Sequence, residues 1–264
     1  MKKEKEKMLI DLYQNGVSIS ELSKEYLLHR TTLQLMFKRN NIPLHFKKTK
    51  FKCNKNFFNE YTNDSCYWAG FILADGNIAK NRNMLQICLA KIDGKHLENF
   101  LHSINSEELD KIKYYEKYVT LKLCVDEFKN DLLNNFDIGP QKTFSSFISD
   151  KIPKDKIKHF IRGYFDGDGS IIKSKYKSIN FVGTVKVLNK IAYEIKEIGI
   201  ILKSNNIIPP IQTLKNGVGH ISYSGVNSKK ILEWLYSDST ENIRLNRKFK
   251  RYCEIYKKNK NEIK

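Results

Sequence analysis

The chain has 264 residues, of which 41% are hydrophobic and 12% aromatic, enough for a packed core and against wholesale disorder. With 47 basic against 29 acidic side chains, its formal net charge is +18, which points to a polyanionic partner, nucleic acid above all. No run reaches the ~18 consecutive apolar residues of a membrane helix, and the charged start Met1–Lys7 leads into no apolar signal core. An intracellular protein is expected, cytoplasmic or, in a eukaryote, organellar. The five cysteines, Cys53, Cys66, Cys88, Cys124 and Cys253, form no C-x-x-C and sit at no zinc-ligand spacing with histidine. They read as free thiols in a reducing compartment.

Residues 1–45 read as a separate basic helical domain. Met8, Ile10, Leu12 and Val17 mark a first helix ending near Asn15-Gly16. Ser18 caps a short second helix through Tyr26. After a turn at Leu27-Leu28-His29, a third helix opens at Arg30 with polar side chains. This pattern resembles the helix-turn-helix units of resolvase-like DNA-binding domains. The resemblance implies that Arg30, Thr31, Thr32 and Gln34 face a major groove; a helical cap on the main domain is the alternative. The stretch 46–56, with Lys47, Lys48, Lys50, Lys52 and Lys55, reads as a basic linker along phosphates.

Residues 57–150 look acidic, with 10 basic against 14 acidic side chains, between a first part with 13 against 5 and a last part (151–264) with 24 against 10. Periodicity cuts the middle part differently. Segments 84–92 and 117–125 alternate like strands, the second with Val119, Leu121, Leu123 and Val125 on one face and Tyr118, Thr120, Lys122 and Cys124 on the other. Segments 94–110 and 126–138 read as amphipathic helices, with Leu97, Phe100, Leu101 and Ile104 in one and Phe128, Leu132 and Phe136 in the other. The strand regions 77–93 and 111–125 hold seven basic and two acidic residues; the helices hold two and eight. That distribution suits a sheet facing phosphates with helices behind it.

An internal repeat organises the rest. Trp68–Ile78 and Ile161–Ile171 both read Gly, aromatic, apolar, two positions, Asp, Gly, polar, Ile. Each copy is followed by two strand-like runs, a helix, two more strands and a helix. In the second copy the strands fall near 170–176, 179–187, 208–215 and 219–225, and the helices near 188–199 and 228–237. Gly70 and Ala74, like Gly163 and Gly167, stand four apart and make a small-residue stripe on which two helices can pack with their backbones close. Gly76 and Gly169 suit a left-handed residue just past a helix end. Asp75 and Asp168 then fall in the last turn, where a carboxylate opposes the helix dipole. Two such misplaced carboxylates on close-packed helices suit a cation, Mg²⁺ beside phosphate oxygens. Asp-Gly is also a common turn. A calcium loop starting at Asp166 fails, because its sixth position is Ile171 and its twelfth is Lys177.

Trp68–Gly76 and Ile161–Gly169 resemble the paired motifs of the single-chain LAGLIDADG homing endonucleases, over about residues 57–255. The resemblance implies an α+β fold: two pseudo-symmetric αββαββα repeats, 57–150 and 151–264, meet at the motif helices and form a saddle over DNA. It implies a monomer that cuts both strands of a long site, of the kind that mobilises introns. Mg²⁺, or Mn²⁺ in its place, would be bound by Asp75 and Asp168, with Ala74 and Gly167 beside them. The family also places a basic residue on a late strand; Lys122 matches it in the first repeat, whereas Ser222 stands there in the second. Only 7 of the 47 basic residues are Arg, so most of the charge suits phosphate positioning rather than guanine readout. Arg82, Gln86, Asn180 and Thr184 are candidate base contacts. The tail 244–264, with Arg244, Arg247, Lys248, Lys250 and Arg251, reads as a basic helix. A non-catalytic DNA-binding regulator and an RNA-splicing maturase use the same scaffold and stay open.

Overall fold

The computed structural model describes residues 3–44, 51–140, 145–173, 176–200, 211–213 and 217–257. It falls into two compact units, Met1–Lys50 and Phe51–Lys264.

The first unit is three helices, α1 (Lys3–Gln14), α2 (Ile19–Glu25) and α3 (Arg30–Arg39). Ser18 caps α2 in a reciprocal capping box with Glu21, which satisfies two backbone donors that a helix start leaves orphaned. Leu9, Tyr13, Leu22, Leu33, Met36 and Phe37 form the core, with the Tyr13 and Phe37 rings stacked at 4.2 Å. Leu27 turns the chain into α3 with φ of 52°, a left-handed conformation costly for a branched side chain; that side chain is fully outside.

The second unit repeats one set of elements. The first copy is α4 (Asn63–Asp75), β1 (Gly76–Ile78), β2 (Leu85–Ala90), α5 (Gly94–Ser103), β3 (Ile112–Tyr114), β4 (Tyr118–Leu123) and α6 (Asp126–Phe136). The second is α7 (Ile157–Asp168), β5 (Gly169–Ile172), β6 (Ser178–Thr184), α8 (Val185–Glu197), β7 (Gln212–Thr213), β8 (Val218–Ser224) and α9 (Gly225–Tyr236). A final helix, α10, spans Asn246–Tyr256. Both sheets are antiparallel, ordered β1-β2-β4-β3 and β5-β6-β8-β7. This mixed architecture is the αββαββα pair that the sequence led us to expect.

Alternation decides which face of each sheet is buried. Leu85, Ile87, Leu89, Val119, Leu121 and Leu123 point into one core with Leu97, Phe100, Phe128 and Phe136, and Ile179, Phe181, Ile221 and Tyr223 do the same in the second copy. Each such side chain contributes roughly 1.5–3 kcal/mol on burial. The elements differ from their expected bounds where a cap intervenes. The first amphipathic helix stops at Ser103, not 110, and a 3-10 turn at Leu109–Lys111 follows. The strand expected over 179–187 stops at Thr184, whose hydroxyl accepts from Val187 N–H and starts α8. Of the expected strand 208–215, residues 208–210 and 214–215 lie outside the described residues.

The motif helices α4 and α7 are buried along most of their length, Ser65–Leu73 in one and His159–Asp166 in the other. Their backbones touch. A Cβ on Gly70 would stand 2.0 Å from the Phe160 carbonyl oxygen, and one on Gly163 would stand 1.9 Å from that of Tyr67. The two contacts exchange under the 93-residue offset of the repeat, which is what a twofold axis between the helices requires. Further along, a Cβ on Gly167 would meet that of Ala74 at 2.4 Å.

Candidate functional site

Both motif helices run from a buried start to an exposed carboxylate. Asp75 and Asp168 are exposed, and the Gly167–Ala74 contact brings the two ends together; a Cβ on Gly167 would lie 3.3 Å from Asp75 Oδ2. The glycines that follow them are not left-handed. Gly76 has φ −78° and Gly169 φ −86°, both extended. The requirement is space: a Cβ would meet the Ile72 carbonyl oxygen at 2.7 Å in one case and the Phe165 ring at 2.2 Å in the other. The chain thus passes straight from each carboxylate into the first strand of its sheet.

Cavities flank the two helix ends. One, of about 490 Å³, is bordered by Ala74, Asn77, Tyr164, Asp168 and Val182. The other, of about 780 Å³, is bordered by Lys95, Asn99, Ser170, Arg247 and Arg251.

The open faces of the sheets lie to either side. Register places Asn77, Gln86 and Lys122 in one row of the first sheet, and Ser170, Asn180 and Ser222 in the matching row of the second. Lys122 and Ser222 are both exposed, so the basic residue of the first sheet faces a hydroxyl at the equivalent place. Lys113, Tyr118 and Tyr115 extend the first open face, the two tyrosine rings stacked at 4.5 Å. Among the described residues, the open face of the second sheet carries no charged side chain: Ser170, Ser178, Asn180, Ser222 and Ser224 line it, with Gln212 and His220 near its edge. Helices α8 and α9 carry Lys186, Lys190, Lys196, Lys229 and Lys230.

The expected base contacts divide. Arg82 is exposed in the β1–β2 turn, and Gln86 and Asn180 are half-buried on the open faces. Thr184 is a correction: it is 5% exposed, and its hydroxyl donates to the Ser146 carbonyl while capping α8. A strand-like threonine one residue before a helix is a cap, not a reader. Thr120 is likewise buried, donating to the Ile87 carbonyl. In the first unit Arg30, Thr31 and Thr32 are exposed at the start of α3, and Gln34 is half-buried. Lys47 and Lys48 lie outside the described residues.

The second helix carries a buried polar network that sequence reasoning passed over. Asp166, 1% exposed, accepts from Tyr67 OH at 2.9 Å, Tyr236 OH at 2.6 Å and Leu245 N–H at 2.7 Å. Burial raises its pKa, against the Lys248 ammonium and these donors. Because Tyr67 spends its proton on Asp166, His96 Nε2 must be the donor in its 3.0 Å contact with Tyr67 oxygen. The other His96 nitrogen, Nδ1, then carries a bare lone pair with no partner among the described residues. Burial, then Lys248, pulls the His96 pKa down to about 3.

Arg162, fully buried, donates to the Ile243 and Leu235 carbonyls, to Asp238 and to His159 Nδ1. Lys248 donates to the carbonyls of Phe165 at 2.7 Å, Gly167 at 3.1 Å and Gly169 at 2.5 Å, and burial lowers its pKa to about 8. The Gly167 carbonyl, expected beside a metal, is therefore already on an ammonium. Tyr164 donates to the Val182 carbonyl at 2.7 Å; burial raises its pKa, as does the neighbouring Asp168 carboxylate. The one visible signal for the network was Asp166 itself, polar where the first motif has Leu73.

Residues 155–255 match the model of a LAGLIDADG-like domain. No curated protein matches the chain by sequence. Among solved structures it is similar to the LAGLIDADG meganuclease I-AabMI bound to uncleaved DNA, at 13% identity and a TM-score of 0.47 over 72% of this chain and 88% of that one. It is similar also to the I-SmaMI LAGLIDADG homing endonuclease bound to cleaved DNA, at 11% identity and 0.45 over 73% and 87%. Full-length DUF199/WhiA from Thermatoga maritima matches at 14% identity and 0.47 over 76% and 64%. The matched segment holds Asp168, Ser222, Lys248 and most of the polar network, with Tyr67, Asp75, His96 and Lys122 on the preceding copy of the same elements.

Proposed function

We propose that the protein is a site-specific, metal-dependent DNA endonuclease working as a monomer, with its centre at Asp75 and Asp168. One observation carries the reading: two carboxylates stand exposed and side by side at the C-terminal ends of helices whose dipoles disfavour them. A divalent cation between them would offset that cost. Two carboxylates are a hard oxygen set that suits Mg²⁺ or Mn²⁺, which keep several waters and bind through one or two carboxylates plus phosphate. The donor set therefore fits, with Asp75 and Asp168 as ligands and the Gly167 carbonyl committed to Lys248. Such an ion supplies Lewis acidity to a phosphodiester and lowers the pKa of an attacking water.

The chain's own groups do the rest. In this reading Lys122, in the same row of the first sheet as Asn77, donates from its ammonium to a phosphate. Lys113 and Arg82 position the DNA backbone, and Gln86 and Asn180 face base edges. The first unit adds an arm of the helix-turn-helix kind, with Arg30, Thr31 and Thr32 offered to a groove.

The test is to incubate the protein with DNA from its own genetic neighbourhood, with Mg²⁺ or EDTA, and map the ends. A metal-dependent double-strand break at one locus is expected. Tight binding with no cleavage anywhere would support a DNA-binding regulator and contradict the nuclease.

A further inference from the structure

Lys248 reaches from the first turn of α10 to the end of the second motif helix, and its three N–H groups are all used there. The acceptors are the carbonyls of Phe165, Gly167 and Gly169. These bracket Asp168: one lies in the last helical turn, one immediately before Asp168 and one immediately after. The Gly167 carbonyl, in the last turn, has no intrahelical donor, while that of Phe165 also accepts from Gly169 N–H; an ammonium is a strong, charge-assisted partner for both. The local sequence needs such a partner. Asp168 is flanked by Gly167 and Gly169, whereas Asp75 follows Ala74, and glycine leaves a backbone the most freedom to lose.

The arm that brings Lys248 in is itself fixed on both sides. Leu245 N–H is held by Asp166, and Arg247 makes a bidentate pair with Asp93 of the first repeat. Lys248 is 7% exposed, so water does not compete for its donors.

We propose that Lys248 is a positioning residue: its ammonium clamps the carbonyls on both sides of Asp168 and so sets the direction in which that carboxylate leaves the backbone. The inference rests on the reading of Asp168 as half of a cleavage centre. It predicts that the clamp serves one half-site only.

The experiment uses the full chain with Lys248→Met and Lys248→Arg. Hydrogen exchange should speed by about tenfold in the peptide 165–172 of Lys248→Met, as expected for losing charge-assisted hydrogen bonds, and stay unchanged in 72–79. Single-turnover cutting, read separately on each end-labelled strand, should fall by about 100-fold on one strand, the loss typical of a slightly misplaced group. Cutting of the other strand and DNA affinity in EDTA should stay as they are, and Lys248→Arg should restore part of the lost rate. Equal slowing of both strands, or unchanged exchange at 165–172, overturns the clamp. If the wild type cuts no DNA, the nuclease reading fails and exchange alone decides the clamp. If Lys248→Met does not fold, Lys248→Gln is read in the same way.

Discussion

At three matched positions the two motif helices carry opposite chemistry: Ala69 against Arg162, Phe71 against Tyr164, and Leu73 against Asp166. Their backbones are related by a twofold, down to the exchange of the Gly70–Phe160 and Gly163–Tyr67 contacts. The first helix is held mainly by apolar packing, with Trp68 against Phe100 and His96. The second is held by a buried polar network that reaches the segment 235–248. The sheets differ too. The first open face carries Lys113 and Lys122, while the second is uncharged among the described residues. A symmetric scaffold thus carries two different halves, and the polarity of the second is spent on fixing the helix end that bears Asp168.

This contrast can be broken by substitution, and the largest effect should fall on the polar half. Asp166→Leu installs the residue of the first motif. It removes the acceptor of Tyr67 OH, Tyr236 OH and Leu245 N–H. Urea unfolding should show a loss of about 4 kcal/mol, as for several buried donors left unpaired. A loss within about 1 kcal/mol, the scale of an ordinary hydrogen bond, would mean that the network stabilises nothing.

The shared feature should cost somewhat less. Gly163→Ala places a methyl group on the Tyr67 carbonyl, where only backbone movement can relieve it. A loss of about 3 kcal/mol is expected from such overpacking, and Gly70→Ala should match it, since the twofold makes the sites equivalent. Unequal losses would show that one helix yields more readily.

Acid should act on both halves through buried histidines. His96 is held down to about 3 and His159 to about 4, each chiefly by burial. Arg162, which can only donate, also fixes His159 Nδ1 as an acceptor. These folded values lie below the ordinary 6.5, so the unfolded chain takes up protons first. The stability is fully present above pH 6.5 and is lost as pH falls toward 4. Moving from pH 7 to 5 should cost about 2 kcal/mol per histidine. His159→Gln should flatten part of that slope, and an unchanged slope would place the acid sensitivity elsewhere.

The smallest effects should come from the open faces. Lys122→Met should slow one strand by about tenfold or more, within the range of lost charge stabilisation, and leave stability within about 0.5 kcal/mol. Ser222→Lys supplies the missing basic residue and should raise cutting of the slower strand.

Sequence patterns revealed what is local. Alternation located Val119, Leu121 and Leu123, and the spacing of Gly163 and Gly167 located the helix contact, because both depend on residues a few positions apart. They misread Gly76 and Gly169, where steric room rather than left-handed φ requires glycine, and Thr184, where a cap and a strand end share one residue type. The Lys248 clamp joins residues about 80 apart in the chain, and no periodicity records such a contact. In the total of +18, Lys248 was one more basic residue of a tail. In the fold it is buried against three carbonyls.

The most direct measurement of the central claim is the strand-resolved cleavage of one mapped target by the wild type, Asp75→Asn and Asp168→Asn, with Mg²⁺ and with EDTA. The wild type should make a metal-dependent double-strand break, and neither variant should, while both bind the target in EDTA as the wild type does. A double-strand break by either variant, or by the wild type in EDTA, would contradict the assignment of these two carboxylates as the metal-binding centre.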